Sequence, residues 1–348
     1  LGEPSSKMAI GKVLVGGNEK WVGIIGGGYG QSGNAGKGFF VVDLKDGHIL
    51  WSYTNHDISA MNAIPASPTI VDADNDGFID TAYVGDSSGN MWRFAFCTKA
   101  QGTTCGSGNW SGGLFFQPST TVPIYTAATV TRDWNSNLWV FWGTGDKMTP
   151  NNTSSSSAGK FFAVKDNSRS GNWTESDLQD ITSALYTTDA TTKGWYISLG
   201  SGGEKMLSDP TVFGGMLLFT TYLPYAGTNP CVTAGTSYLH ALAMQRQPVR
   251  GAGVFDSGAG LLDSGARSVL LGSGIASTPA IAQSSPAAPP SLFVSVSGGV
   301  GIVGTTTTTL PTVTKTKLDF DQNSGLIKRL AETGVSTQIL HWRDGRIQ

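Results

Sequence analysis

The residues best suited to bind a metal form one acidic stretch, VDADNDGFID, from Val71 to Asp80. Counted from Asp72, aspartates occupy positions 1, 3, 5 and 9, and Gly77 occupies position 6, where it permits a sharp turn. A hard divalent cation takes six to eight oxygen ligands at roughly 2.3–2.6 Å, and a tightly coiled loop with this spacing turns its carboxylates onto one point. The pattern predicts a calcium site whose ligands are the side chains of Asp72, Asp74, Asp76 and Asp80 and the backbone carbonyl of Phe78.

The end of this loop differs from that of a calcium-sensing EF-hand. An EF-hand has a bidentate glutamate at position 12, whereas Tyr83 stands there, and the residues TAYVGD after Asp80 favour a strand rather than a helix. We therefore expect a calcium-binding loop that connects two strands, without the helix pair that opens when a calcium sensor binds the ion. The alternative, a solvated acidic turn, does not account for the aspartate spacing and the glycine together. Magnesium fits less well because it prefers a rigid octahedron with several waters.

The remaining polar residues do not form a catalytic pattern. The histidines, His48, His56, His240 and His341, are scattered along the chain. The glycine-rich segments GGGYGQSG and GSGGE do not open a helix after a strand, as a nucleotide-binding loop does, and SVSGG lacks the context of a nucleophile elbow. We predict that the chain is not an enzyme.

Three cysteines are present. Cys97 and Cys105 flank a glycine-containing excursion that a hairpin disulfide could close. Cys231 is left over, and it is either a buried free thiol or the partner of a cysteine in another segment.

Size and charge narrow the class of protein. The chain has 348 residues, and its 23 lysines and arginines nearly balance 25 acidic residues without a basic run, which argues against a nucleic-acid partner. No apolar stretch approaches the ~18 residues of a membrane helix, so no membrane span is expected. The first residue is Leu1 rather than methionine, which suggests a processed product or part of a longer precursor.

Short apolar strands joined by turns recur along the chain. The segments FFVVDL and ILWSY flank the turn KDGH, and the stretch DTAYVGDSSGNMWRFAF has the same form, with Trp51 and Trp92 at matching places. A second recurring element places proline just before a short strand, in ASPTIVD, LSDPTVFG and ASTPAIAQ. Four to five such units predict an all-β modified β-propeller, a single domain over 1–348 with loop insertions around 148–160, 283–291 and 304–316.

Two short helices are expected beside the strands. One lies in TESDLQDITSALY and is capped by Thr174 or Ser176. The other lies in SGLIKRLAETG, where Ser324 would cap it and Gly334 would end it.

Several of these segments together resemble a known family. The acidic loop runs directly into YVGDSSGNMWRF, and further matching segments occur in the family's order: WVGIIGGGYG, FFVVDLKDGHILW, FWGTGDK, GWYISLGSGGEKMLSDPTVFGGMLLFTTYLP and ILHWRDGRI. These segments resemble the PilC/PilY family of type IV pilus biogenesis and tip-adhesin proteins. Together they span nearly the whole chain.

The resemblance implies a calcium-binding C-terminal β-propeller that supports pilus extension against retraction, adhesion and twitching motility. Its implied place is the bacterial cell surface, at the pilus tip or associated with the outer membrane, in contact with a host or abiotic surface. Family propellers have further blades before the segment KWVGIIGGGYG. We therefore expect minor pilins, or the amino-terminal part of the same precursor, to supply the first blades. The Arg-Gly-Asp tripeptide of some members is absent, since the chain reads RDGR.

Two other propeller classes share features of this sequence. The segment VVDLKDGHILW also resembles the blade motif of quinoprotein-type dehydrogenases, but such an enzyme should have adjacent cysteines, which this chain lacks. An integrin-like ligand-binding propeller should carry the acidic loop in several blades, but the sequence has it once.

Overall fold

The protein is described by a computed structural model that covers most of its length. The described residues are 1–30, 32–54, 61–133, 135–184, 186, 192–213, 215–228, 234–243, 252–253, 267–282, 291–297, 313–316, 318–321 and 326–329. They form five sheets of three to five strands and one separate hairpin, which confirms the predicted all-β class and number of units. None of the helices among them has the length and hydrophobicity needed to cross a bilayer.

The first two sheets are antiparallel meanders. The first consists of β1 (Ala9–Val15), β2 (Asn18–Gly26), β3 (Gly38–Asp43) and β4 (Ile49–Thr54). The second consists of β5 (Thr69–Val71), β6 (Thr81–Gly85), β7 (Met91–Ala95) and β8 (Ser111–Gln117), and β12 (Trp173–Thr174) adds to its edge in parallel with β8. The acidic loop connects β5 to β6.

The third and fourth sheets repeat this plan. The third consists of β9 (Thr129–Arg132), β10 (Leu138–Gly143), β11 (Lys160–Lys165) and β14 (Gly194–Ser198), with β13 (Leu178–Asp180) parallel to β14 at the edge. The fourth consists of β15 (Thr211–Phe213), β16 (Met216–Leu223) and β17 (Thr236–Ala243), and both β18 (Ala252–Gly253) and β19 (Ser268–Ser273) pair with β17.

The chain then forms a fifth, smaller sheet. It consists of β20 (Ala280–Ala282), β21 (Ser291–Ser295) and β22 (Val313–Thr316), and the hairpin of β23 (Leu318–Asp321) and β24 (Leu326–Arg329) follows. Strand β22 occupies the last four positions of the loop predicted around 304–316. Most of the loop predicted around 283–291 lies outside the described residues, whereas 148–159 precede β11 as a loop with one 3-10 turn.

Aromatic side chains join successive sheets face to face. Phe39 of the first sheet stacks on Phe94 of the second with 3.8 Å between ring centroids, and Phe161 of the third stacks on Phe219 of the fourth at 4.0 Å. All four rings are buried. These aromatic residues at strand positions therefore form part of the core between sheets, where each ring buries apolar area and stacks on a ring of the next sheet.

The first strands of consecutive units are linked by threonine hydroxyl groups. Thr69 donates to the carbonyl of Ala128 at 2.6 Å, and Thr129 donates to the carbonyl of Pro210 at 2.5 Å. Thr211 donates to the carbonyl of Pro279 at 2.7 Å. Each bond joins the start of one unit to the residue just before the next, so the units follow one another in a fixed register.

The structure corrects both helix predictions. Thr174 ends β12, and Glu175–Asp177 make only one 3-10 turn before β13 begins at Leu178. The capping signal was genuine, since the Asp177 carboxylate accepts the backbone N–H of Thr174 at 2.9 Å, but pairing of β13 with β14 prevents a longer helix.

The segment Leu326–Arg329, predicted as part of the second helix, is strand β24, because its backbone pairs with β23. Ser324 and Gly334, the predicted ends of that helix, lie outside the described residues. In both cases pairing with a neighbouring strand overrides the local preference of the sequence. The described helical segments are four short 3-10 turns, Lys99–Thr104, Ser107–Asn109, Ser155–Ser157 and Glu175–Asp177.

Candidate metal centre

The acidic loop is held at both ends by strand pairing. Val71 of β5 pairs with Thr81 of β6, and the N–H of Asp80 donates to the carbonyl of Val71 at 3.0 Å. Between these ends the backbone coils through two left-handed residues, Asn75 at φ 59° and Gly77 at φ 92°. Asparagine and glycine are the residues that adopt this region most readily, so the sequence NDG determines the tight coil.

Three of the four predicted carboxylates converge. One ligand oxygen each from Asp72, Asp74 and Asp80 lies within 4.8 Å of the other two. Asp80 is buried, Asp72 is half-buried and Asp74 is exposed, so the cluster opens to solvent on one side. Among the described residues this is the one cluster of acidic, histidine or cysteine side chains compact enough to hold a metal ion.

The first aspartate organises the coil. The two carboxylate oxygens of Asp72 accept the backbone N–H groups of Asp76 at 3.0 Å and Gly77 at 2.8 Å. These bonds wrap the loop around the Asp72 carboxylate.

The other two predicted ligand residues, Asp76 and Phe78, contact neighbouring segments. The carboxylate of Asp76 is not among the three that converge, and its oxygens accept the backbone N–H groups of Phe78 at 2.9 Å and Lys99 at 2.7 Å. The Phe78 side chain is half-buried, packs against the core and has the ammonium of Lys12 5.1 Å from its ring centroid. This packing anchors the backbone at position 7 of the loop.

The charges of the cluster oppose one another. The pKa of Asp74 is raised, first by partial desolvation of its carboxylate within the loop and then by the negative charges of Asp76 and Asp80. A raised pKa means that the ionised form is disfavoured in this environment, and a bound cation would reverse the effect. The donor set of carboxylates around an open position fits a hard divalent cation.

Basic side chains from the third sheet reach the same loop. The Arg169 guanidinium lies 2.9 Å from the Asp80 carboxylate, and Arg132 donates to the backbone carbonyl of Ala73. Sequence reasoning missed both, because each arginine is distant in the chain from the residue it contacts and only the packing of two sheets brings them together.

The cysteines lie beside the loop. Cys97 and Cys105, paired in the prediction, form a disulfide with 5.7 Å between their Cα atoms. It closes the segment that contains Lys99, whose N–H binds Asp76. Cys231 lies outside the described residues.

The described histidines are distant from one another in the fold. His48 is exposed in the turn after β3, whereas His240 of β17 stacks on Phe219 with 4.6 Å between ring centroids. His56 and His341 lie outside the described residues.

These observations define a class of protein: a mainly antiparallel β-propeller in which, among the described residues, one acidic loop joins the first two strands of a blade. The family model described as "PilY1 beta-propeller domain" matches residues 1–187. The chain belongs to this family, which confirms both the β-propeller predicted from the repeated strand units and the resemblance to the PilC/PilY family.

Two relatives and one solved structure show the extent of the similarity. The Type IV pilus biogenesis factor PilY1 homolog of Xylella fastidiosa is 23% identical over 267 residues, covering 65% of this chain and 18% of that protein. Type IV pilus biogenesis factor PilY1 of Pseudomonas aeruginosa is 35% identical over 80 residues, covering 22% of this chain and 6% of that protein. The chain thus spans less than a fifth of the length of either relative.

The crystal structure of the Pseudomonas aeruginosa PilY1 C-terminal domain resembles the fold. It superposes with a TM-score of 0.61 and 17% identity, over 83% of this chain and 71% of that domain. At this identity the similarity concerns the architecture of the sheets.

Proposed function

We propose that this domain is a calcium-binding module of a type IV pilus biogenesis factor. The observation that carries the proposal is the convergence of Asp72, Asp74 and Asp80 within 4.8 Å in a PilY1-family propeller. Calcium would be held by these three carboxylates, with Asp76 and the Phe78 carbonyl as the further ligands that the loop spacing predicts. The ion supplies positive charge that offsets the mutual repulsion of the aspartates.

The proposed role of calcium is structural. A bound ion would fix the connection between β5 and β6 and thereby the face of the second sheet, without any turnover. The relatives are named biogenesis factors, so we propose a role in pilus assembly and extension against retraction, and through the pilus in adhesion to host or abiotic surfaces and twitching motility. The proposed location is the cell surface, at the pilus tip or associated with the outer membrane.

The first sheet supports the proposal that another blade or partner completes the propeller. Its inner face packs on the second sheet, whereas Ile10, Trp21 and Ile49 of its other face are 58%, 55% and 61% exposed. The strand register puts these three side chains on one side of the sheet. The same side carries the Lys12–Glu19 ion pair, and a face with three exposed apolar side chains beside such a pair fits a second β-sheet. We propose that the amino-terminal part of the precursor, or a minor pilin, covers it.

The test of function uses the full-length protein in its own bacterium. Asp72→Asn and Asp74→Asn together remove two carboxylates of the cluster, and Asp46→Asn, an exposed carboxylate in the turn after β3, is the matched control. We expect the double variant to be made and exported but to reduce surface pili and twitching, with the control unchanged. Normal piliation in a double variant that no longer binds calcium would contradict the proposed role of the ion.

A further inference from the structure

Arg169 brings a cation of the chain itself to the loop. Its Nη1 lies 2.9 Å from Oδ1 of Asp80, whose side chain is 1% exposed. The same carboxylate accepts the hydroxyl of Thr81 at 2.7 Å and the backbone N–H of Ala73 at 2.9 Å. Both oxygens of Asp80 are therefore engaged by donors of the protein.

The turn that carries Arg169 is anchored independently of the loop. The buried carboxylate of Asp166 accepts the hydroxyl of Tyr83 at 2.7 Å and Nη1 of Arg93 at 2.8 Å. Nη2 of Arg93 also donates to the carbonyl of Gly171 at 3.4 Å. These contacts tie the turn after β11 to the second sheet on both sides of Arg169, so the turn stays in place if the bond to Asp80 is lost.

The backbone of Arg169 is held in an unfavourable region. Its φ of 47° is left-handed, a conformation that residues other than glycine seldom adopt. Such a conformation persists where surrounding contacts hold it. The ion pair with Asp80 is one such contact, and it directs the side chain toward the loop.

We propose that Arg169 is an exchangeable counter-ion of the acidic loop, which balances Asp80 in the metal-free protein and leaves when calcium takes that carboxylate. The inference rests on the proposed calcium function and specifies how the same site is regulated. Two cations packed against one buried carboxylate repel each other, so each weakens the binding of the other. Arg169 would thus set the calcium affinity and link the loop of the second sheet to a turn of the third.

The experiment compares calcium affinities by titration calorimetry on chelator-treated wild-type protein and Arg169→Gln. If Arg169 holds Asp80 in about nine of ten metal-free molecules, its removal should lower the apparent Kd roughly tenfold. Lys99→Gln is the matched control, because it removes an exposed positive charge near the loop but keeps the backbone N–H that binds Asp76. A Kd for Arg169→Gln that is no lower than that of Lys99→Gln would overturn the inference.

A second measurement needs no variant. The NMR resonances of the Arg169 guanidinium in wild-type protein should shift when calcium is added, because its contact with Asp80 is lost, and unchanged resonances with the site filled would overturn the exchange of partners. Failure of the underlying function is distinct from these results, since it appears as no calcium uptake by either wild type or Arg169→Gln. Uptake by the variant alone would support the counter-ion directly.

Discussion

Asp74 combines exposure with a disfavoured charge. Partial desolvation of its carboxylate and the negative charges of the neighbouring aspartates raise its pKa. Its ionised form is therefore less favourable in the folded chain than in the unfolded chain. An acid whose folded-state pKa is raised reduces stability above that pKa, and this penalty is relieved as the pH falls through it. The calcium-free loop should accordingly lose some unfavourable charge when Asp74 is neutralised.

We therefore predict opposite effects of Asp74→Asn in two conditions. In chelator-treated protein it should be neutral or raise the free energy of unfolding by up to about 0.5 kcal/mol, because solvent screens an exposed carboxylate. In saturating calcium it should lower that free energy relative to wild type, because the stabilisation by ligand is reduced. Urea denaturation in chelator and in calcium measures both effects. If Asp74→Asn lowers the free energy of unfolding in chelator, the idea that the Asp74 charge is repelled by its neighbours is contradicted.

At the residue scale, the local spacing of the chain was informative and its distant contacts were not. The aspartate positions and Gly77 predicted a loop whose carboxylates converge, and Asn75 and Gly77 adopt the left-handed conformations that such a coil needs. The orientation of Asp76 toward the N–H of Lys99 was not predictable, because it depends on a segment on the other side of β6 and β7. The arginines were missed for the same reason.

Two hairpin turns share one pattern of internal bonds. Asp86 accepts the backbone N–H and the side-chain amide of Asn90, and the indole N–H of Trp92 at 2.9 Å. Asp133 accepts the same bonds from Asn137 and Trp139, which follow it by four and six residues. The motif Asp-x-x-x-Asn-x-Trp therefore marks the β6–β7 and β9–β10 turns. The match noted in the sequence between Trp51 and Trp92 concerned position along the hairpin and did not include this bonding.

Asp86→Ala should lower the free energy of unfolding by about 2–4 kcal/mol, because several donors that include the buried indole N–H lose their acceptor. Asp46→Ala, in the exposed turn after β3, should change it by less than about 0.5 kcal/mol. Chemical denaturation of both variants in the same calcium concentration is the measurement. Equal effects in the two variants would show that the buried bonds contribute nothing beyond an ordinary turn.

The threonine links make a second prediction at the scale of the elements. Thr129→Val removes the bond to the carbonyl of Pro210 while keeping shape, and should lower the free energy of unfolding by about 1 kcal/mol. Thr131→Val, whose hydroxyl makes only a 3.5 Å contact with the adjacent Arg132 carbonyl, is the control in the same strand. Thermal unfolding should separate the two variants, and indistinguishable midpoints would argue against a link between units.

The order of strands was largely predictable, and the exceptions have physical reasons. Proline preceded the strands β5, β15 and β20, and all three begin where the sequence placed them. Strand β9 opens an equivalent unit after Ala128 and was missed, although its threonine followed by a β-branched residue is the same as in β5 and β15. The two predicted helices were wrong because strand pairing outside the local window determined those segments.

At the scale of the molecule, one face of the first sheet exposes the apolar side chains Ile10, Trp21 and Ile49. Trp21→Glu together with Ile49→Lys should change the free energy of unfolding by less than about 1 kcal/mol, because both side chains are more than half exposed. The same variant should reduce self-association of the isolated chain, as followed by sedimentation velocity over a range of concentrations. A loss of several kcal/mol would instead show that this face is covered by another part of the same chain.

We propose that the acidic loop of this propeller is a calcium site. Its most direct test is a calorimetric titration of the chelator-treated chain with calcium, with thermal unfolding followed in the same samples and in Asp72→Ala. We predict that wild-type protein binds one calcium per chain and unfolds at a higher midpoint in calcium. The variant should show neither the binding nor the higher midpoint. No heat of binding, together with the same midpoint in calcium and in chelator, would contradict the calcium site and show that the loop is a solvated acidic turn.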